Sequence, residues 1–216
     1  MTKLMNNFNS ARNLAAQVAA QWMYEHGIND FALAKRKAAR QLGIIDAHQL
    51  PDNSEIEAAI RERLAIFHAE SHPNIQLALQ NIALRTMQNL AEFNPHLTGS
   101  VLNGTAGQHA DIHIELFTDS EKEVEMYLLN QKIQFQQAQA YSSSKNKRLV
   151  PGYRLFNETN EIILTVLTRE ALRNTGRVIG TGIPKRVSLK QLTLMLRASV
   201  SQTKPEPPDL NHKAGG

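Results

Sequence analysis

Six residues, Asp111-Ile112-His113-Ile114-Glu115-Leu116, alternate polar and apolar without a break, and this period of two constrains the fold more than any other feature. A β-strand sends successive side chains to opposite faces, so strict alternation reads as a half-buried strand. Ile112, Ile114 and Leu116 are expected to face a core, with Asp111, His113 and Glu115 on an accessible face. Ahead of this strand stand Gly99-Ser100 and the further glycines Gly104 and Gly107, a turn whose backbone can approach an anion closely. Two carboxylates and an imidazole beside such a turn have the chemistry of a site for a metal ion and a phosphate-bearing ligand.

Before the turn the period is helical. Ser10 is a candidate cap for a helix carrying Leu14, Val18, Trp22 and Met23, ended by Gly27. A second helix over 31–42 stops at Gly43. Ser54 and Glu57 have capping-box spacing ahead of Ile56, Ile60, Leu64 and Phe67. Pro73 opens a longer helix, and Asn94-Pro95 breaks it. After the alternating strand, Ser120 and Glu123 start another helix, 133–138 alternates again, and 153–156 with 161–167 reads as a hairpin turning at 157–160. Ser188 with Gln191 caps a last helix over 189–196. The organisation expected is a helical region over 1–94, an α/β (α+β) region with a small mixed sheet over 95–200, and a Pro- and Gly-bearing tail over 201–216 read as disordered.

Composition narrows the class. The chain has 216 residues, with 42% apolar and 20% charged, which suits a globular protein. It contains no cysteine, which removes disulfides, thiolate metal sites and cysteine nucleophiles. There is no apolar run of the roughly 18 residues a membrane span requires, nor the apolar core of a secretory signal, so the expectation is a cytoplasmic protein without membrane contact. The formal charge of +4 permits a polyanionic partner without demanding one.

Gly99-Ser100, a spacer, and then an acidic residue alternating with apolar ones resembles the signature of the polymerase-beta-like nucleotidyltransferase superfamily. The match covers residues 95–168, about a third of the chain. The resemblance implies a small mixed sheet backed by helices and metal-dependent transfer of a nucleoside monophosphate from a nucleoside triphosphate to a hydroxyl acceptor. It implies that Gly99 and Ser100 hold the triphosphate, that Asp111 binds Mg2+ or Mn2+, and that His113 or Glu115 completes the shell, with Asp111 and Glu115 as the catalytic carboxylates. The acceptor is left open between nucleic acid, protein and small molecule.

The chain departs from the family pattern in two places. His113 stands where the second carboxylate belongs, and imidazole is a poor ligand for a hard magnesium ion although manganese tolerates it. Glu115 is two residues further on, about 6–7 Å away by the strand rise. The later strands present glutamines and Thr165 but no clean third carboxylate, whereas two-metal chemistry needs several. A non-catalytic relative that binds nucleotide or a protein partner through the same cleft is therefore an explicit alternative.

Other motifs carry less. Lys35, Arg36, Lys37 and Arg40 make residues 34–43 a basic helix after a helix and a glycine turn, which allows a helix-turn-helix regulator of DNA. These cations spread around the helix, however, while Ala34, Ala38 and Leu42 form an ordinary buried stripe. Residues 99–104 have P-loop glycine spacing but lack its lysine, and 177–182 lacks the register of a dinucleotide fingerprint. His68 and His72 share a helix face without the acidic neighbour of a zincin. The cations over 145–148, with Arg154, Arg169, Arg173, Arg177, Lys185 and Arg186, are candidates to offset phosphate charge.

Overall fold

The computed structural model describes residues 2–28, 30–141, 149–157, 159–173 and 184–202. Residues 145–148, the 177–182 segment and the tail beyond 202 lie outside them. The chain opens with helices α1 (Thr2–Glu25), α2 (Phe31–Leu42), α3 (Asn53–Phe67) and α4 (His72–Asn89). Then come β1 (His96–Thr98), the one-turn α5 (Ser100–Asn103), β2 (Ile112–Phe117), α6 (Glu121–Asn130), β3 (Phe135–Tyr141), β4 (Leu149–Phe156) and β5 (Glu161–Leu167). The short α7 (Arg169–Arg173), β6 (Arg186–Ser188) and α8 (Leu189–Gln202) complete the described elements. Helices and a six-stranded mixed sheet thus share the molecule.

Local chemistry sets most boundaries. Asp30 accepts from the Ala32 N–H at the start of α2, and Gly43, at φ +67°, sends its N–H back to the Ala39 carbonyl at the end. For α3 the box forms two residues earlier than the Ser54–Glu57 spacing predicts. Asp52 accepts from the Glu55 N–H while the Glu55 carboxylate accepts from the Asp52 N–H. The earlier start also brings Glu55 within 2.7 Å of Arg12 on α1. Helix α1 extends to Thr2, so Ser10 lies inside it. Its buried face is Ala15, Ala16, Ala19 and Ala20, while Leu14 is exposed. The alanine stripe wins because α1 is pressed between α2 and α3, and close helix approach requires small side chains.

Two apolar clusters result. One joins Ala16, Ala19 and Ala20 to Ala34, Ala38, Ala59 and the larger Ile56, Ile60 and Leu64 of α1–α3. The other holds Leu79, Ala83 and Met87 of α4 against the sheet residues Leu97, Ile112, Ile114, Leu116, Ile162 and Leu164, with Val124, Leu128, Leu192 and Leu196 from α6 and α8. Helix α4 therefore packs with the sheet, although it is helical like the elements before it.

The strands run in the order β3-β4-β5-β2-β1-β6. β2 and β5 are parallel, and the remaining neighbours are antiparallel. The expected hairpin over 153–167 is present, and Asn157 N–H bonds the Asn160 carbonyl across its turn. β1 and β6, three residues each, were not foreseen. Ile112, Ile114 and Leu116 turn into the core as the alternation predicted. The opposite sheet face carries His113, Glu115 and Phe117 from β2 beside His96 and Thr98 from β1.

Candidate functional site

A cleft of about 1640 Å³ separates α1–α3 from that second sheet face. On the sheet side it is lined by Thr98, Gly99, Ser100, His113, Glu115 and Thr165. Met23, Tyr24, Ile28 and Phe31 approach from the helical side. The turn is built around Gly99, whose φ of +76° and ψ of −155° fall in a region open almost only to glycine. Its position against His113 is close: an added Cβ would stand 3.4 Å from the imidazole Cδ2. The strand pairing of Thr98 with His113 fixes this neighbourhood, so the Gly-Ser turn and the alternating strand do meet.

Behind the turn, the loop leading into β2 is clamped from a distant hairpin. The buried Asn160 amide donates to the carbonyls of Gln108 (2.9 Å) and Ala110 (3.1 Å). His72 bonds the Gly104 carbonyl through Nε2 at 2.9 Å, and Gly107 packs so tightly on α1 that an added Cβ would lie 3.0 Å from the Tyr24 carbonyl. Tyr24 meets the His68 ring at a 50° tilt with ring centroids 4.9 Å apart. His68 lies at the C-terminal cap of α3 and His72 opens α4, so the two do not share one helix face; the pair instead joins the helical region to the glycine loop.

The face expected to be accessible is not uniformly so. His113 is half-buried, but Glu115 is only 3% exposed. The cause is β6, which lies beside β1 and places Arg186 across from Thr98. Arg186 Nε stands 3.2 Å from Glu115 Oε2, and its guanidinium lies over the Phe117 ring at 5.0 Å. Phe117 also receives His96 edge-on at 5.1 Å. Two-residue alternation foresaw which face Glu115 takes, but not the strand 71 positions later that covers it.

Burial sets the state of the imidazoles. His113 is held below its ordinary pKa by desolvation, against the pull of Asp111 and Glu115, and so favours the neutral form. His96 is lowered as well, first by desolvation, despite its bond to the Asn94 carbonyl. Asp111, half-buried one residue before β2, is not among the described residues that line the cleft. Its charge nevertheless reaches His113.

A hard dication takes a near-octahedral shell of oxygens, usually several waters with one or two carboxylates, and a pair of such ions needs more. The expected ligands are Asp111 outside the cleft lining, a neutral imidazole at His113, and Glu115 engaged by Arg186. Among the described residues no three His, Cys, Asp or Glu stand close enough to hold an ion. Thr165, in register with Glu115 on the parallel strand β5, brings a hydroxyl and not a carboxylate to the cleft. This set does not fit a pair of hard dications.

The remaining candidates are distributed elsewhere. Arg154 pairs with Glu161 at 3.5 Å and Arg169 with Asp119 at 3.8 Å, while Lys185 lines the cleft. On α2, Ala34 and Ala38 are fully buried, Lys37 lies over the Trp22 ring at 4.3 Å, and Arg36 and Arg40 are exposed. No described helix is long and apolar enough to cross a membrane. In comparisons with known proteins, the chain matches no family model, no curated protein and no solved structure.

Proposed function

We propose that this chain is a nucleotidyltransferase-like protein that binds a nucleotide in the cleft between α1–α3 and the sheet. The observation that carries the reading is the convergence of the Gly99-Ser100 turn and the β2 face on that one cleft. The order of elements supports it too: a helix, a Gly-Ser turn, a strand led by an acidic residue, a helix, and further strands. Gly99 leaves its backbone open to a phosphate because nothing projects from its Cα. Ser100 supplies a hydroxyl able to donate to a phosphate oxygen, and the His113 imidazole offers an N–H beside it. Across the cleft, Tyr24 and Phe31 present aromatic surface for a base.

Transfer of a nucleoside monophosphate would need Glu115 released from Arg186, so the geometry favours the binding reading over the transferring one. Calorimetric titration with each of the four common nucleoside triphosphates, with magnesium, manganese or neither, tests it. Saturable binding is expected, weakened up to about tenfold by Ser100→Ala through one lost hydrogen bond. Absence of binding for every nucleotide under every condition overturns the reading. Turnover to pyrophosphate, lost on Asp111→Ala, would restore the transferase.

A further inference from the structure

We propose that the cleft takes its nucleotide as the metal-free polyanion, with the Arg186 guanidinium supplying the positive charge that a bound dication would otherwise bring to Glu115. This inference rests on the nucleotide reading above and names the chemical form of the ligand. It rests on the acidic side chains that line the cleft. Among the described residues there are four: Glu25, Asp30, Glu57 and Glu115. Glu25 pairs with Arg63 and accepts from Gln21. Glu57 pairs with Arg61, one helical turn on, at 3.3 Å. Asp30 caps α2 by accepting from the Ala32 N–H at 2.8 Å. Glu115 holds Arg186 at 3.2 Å.

Each carboxylate therefore already has a cationic or backbone donor. A magnesium ion surrenders its water reluctantly and is usually held by one or two carboxylates beside the phosphates. Glu115 alone of the four comes from the sheet wall beside the Gly-Ser turn, and it meets an ion only by sharing its charge with Arg186. The Glu115 pair is the deepest, with side-chain exposures of 4% for the carboxylate and 13% for the guanidinium. A buried pair of this kind is costly to break because the charge left behind has lost its water. Its net charge is zero, and Lys185 adds a positive charge at the rim. The sheet wall that meets the phosphates is therefore neutral to positive, which suits a bare polyphosphate. Chelation by magnesium would reduce the charge that such a wall attracts.

The full-length protein is titrated with ATP, GTP, CTP and UTP, each once in excess EDTA and once in excess magnesium. Binding in EDTA as tight as or tighter than binding in magnesium is the expected result. Binding that requires magnesium overturns this inference and leaves the nucleotide reading standing. Absence of binding in both buffers overturns both. Arg186→Met removes the cation paired with Glu115 and is expected to weaken metal-free binding by about tenfold or more. The double variant Arg186→Met/Glu115→Gln is expected to recover most of that loss, since it removes both charges together. A double variant that is folded by circular dichroism yet binds no better than Arg186→Met would show that Arg186 acts otherwise than by charge, and would overturn the proposal.

Discussion

The two regions flanking the cleft are built on different cores. That of α1–α3 is dominated by alanine, with six alanines beside Ile56, Ile60 and Leu64. That of the sheet and α4, α6 and α8 is made of large aliphatic and aromatic side chains, including Ile112, Ile114, Leu116, Leu128 and Leu164. An alanine buries little apolar area, and burial free energy scales with that area. The helical region adds polar cross-links at its surface: Arg12 to Glu55, Gln17 to Glu62 and Arg63 to Glu25. The difference implies a sheet region that holds its shape by packing and a helical region that holds it by close fit and charge. The cleft lies between these two differently built walls.

The largest effect should come from the sheet. Leu164 is fully buried on β5, opposite Ile114 of β2 and Tyr153 of β4. Leu164→Ala is expected to cost about 2–5 kcal/mol, the range for a leucine removed from a well-packed core. Denaturant titration followed by the Trp22 fluorescence of α1 and by far-ultraviolet circular dichroism measures it. If the regions are as distinct as their cores, the ellipticity midpoint falls while the Trp22 midpoint moves less. Equal shifts would break the comparison.

Overpacking probes the helical region in the opposite direction. Ala38 is wholly buried between α2 and its neighbours. Ala38→Leu forces three further carbons into a contact that closeness created, with an expected cost of about 3 kcal/mol. The loss should appear in the Trp22 transition, since Trp22 bonds Gln41 of the same helix at 3.1 Å. A neutral result would mean that α1 and α2 are looser than their buried alanines indicate.

Which parts of this architecture the sequence disclosed follows from range. Signals carried by neighbouring residues were readable: the alternation of β2, the Gly43 stop of α2, the Ser120 cap, and the Ser188–Gln191 box ahead of α8. Signals needing a distant partner were not. β1 and β6 are too short for a periodicity to show, and each exists because an adjacent strand supplies its hydrogen bonds. The burial of Glu115 depends on Arg186, and the clamp on the loop before Asp111 depends on Asn160. The alanine face of α1 lost to the Leu14-Val18-Trp22 stripe in a reading by hydrophobicity, because hydrophobicity does not record how near the next helix comes. For the candidate site, proximity of Gly99 to His113 was implied by the motif, while the charge state of its face was not.

A smaller effect is expected at the turn itself. Gly99→Ala places a side chain at φ +76° and ψ −155°, at a cost of about 2 kcal/mol for a conformation essentially reserved to glycine. The added methyl finds room, because 3.4 Å to His113 Cδ2 is an ordinary contact. Strain rather than collision therefore decides the result. A modest fall in the sheet transition should accompany a loss of nucleotide binding in calorimetry. Full stability with abolished binding would instead mean that the turn relaxes and that its backbone geometry is needed only by the ligand.

The smallest effect separates the two regions by acidity. In the sheet region, His96 and His113 have folded-state pKa values below the ordinary 6.5, chiefly through burial. The unfolded chain therefore binds protons first, and this region should begin to lose stability as the pH falls below 6.5, the loss being complete once the pH has passed the folded values. In the helical region the depressed groups are carboxylates: Glu25 through Arg63, Glu55 through Arg12, and Asp52 through Ser54 and the Glu55 N–H. Their contribution stays intact until the pH drops below the ordinary 4.5 for glutamate and 3.8 for aspartate, and then disappears. Glu57 runs the other way, since burial raises its pKa and its protonation as the pH falls favours the fold. Between pH 6.5 and 4.5 the ellipticity transition should thus weaken while the Trp22 transition holds. His96→Gln, which removes one of the two imidazoles while keeping a polar side chain, should flatten that slope, and an unchanged slope in the variant would assign the acid sensitivity to His113 alone.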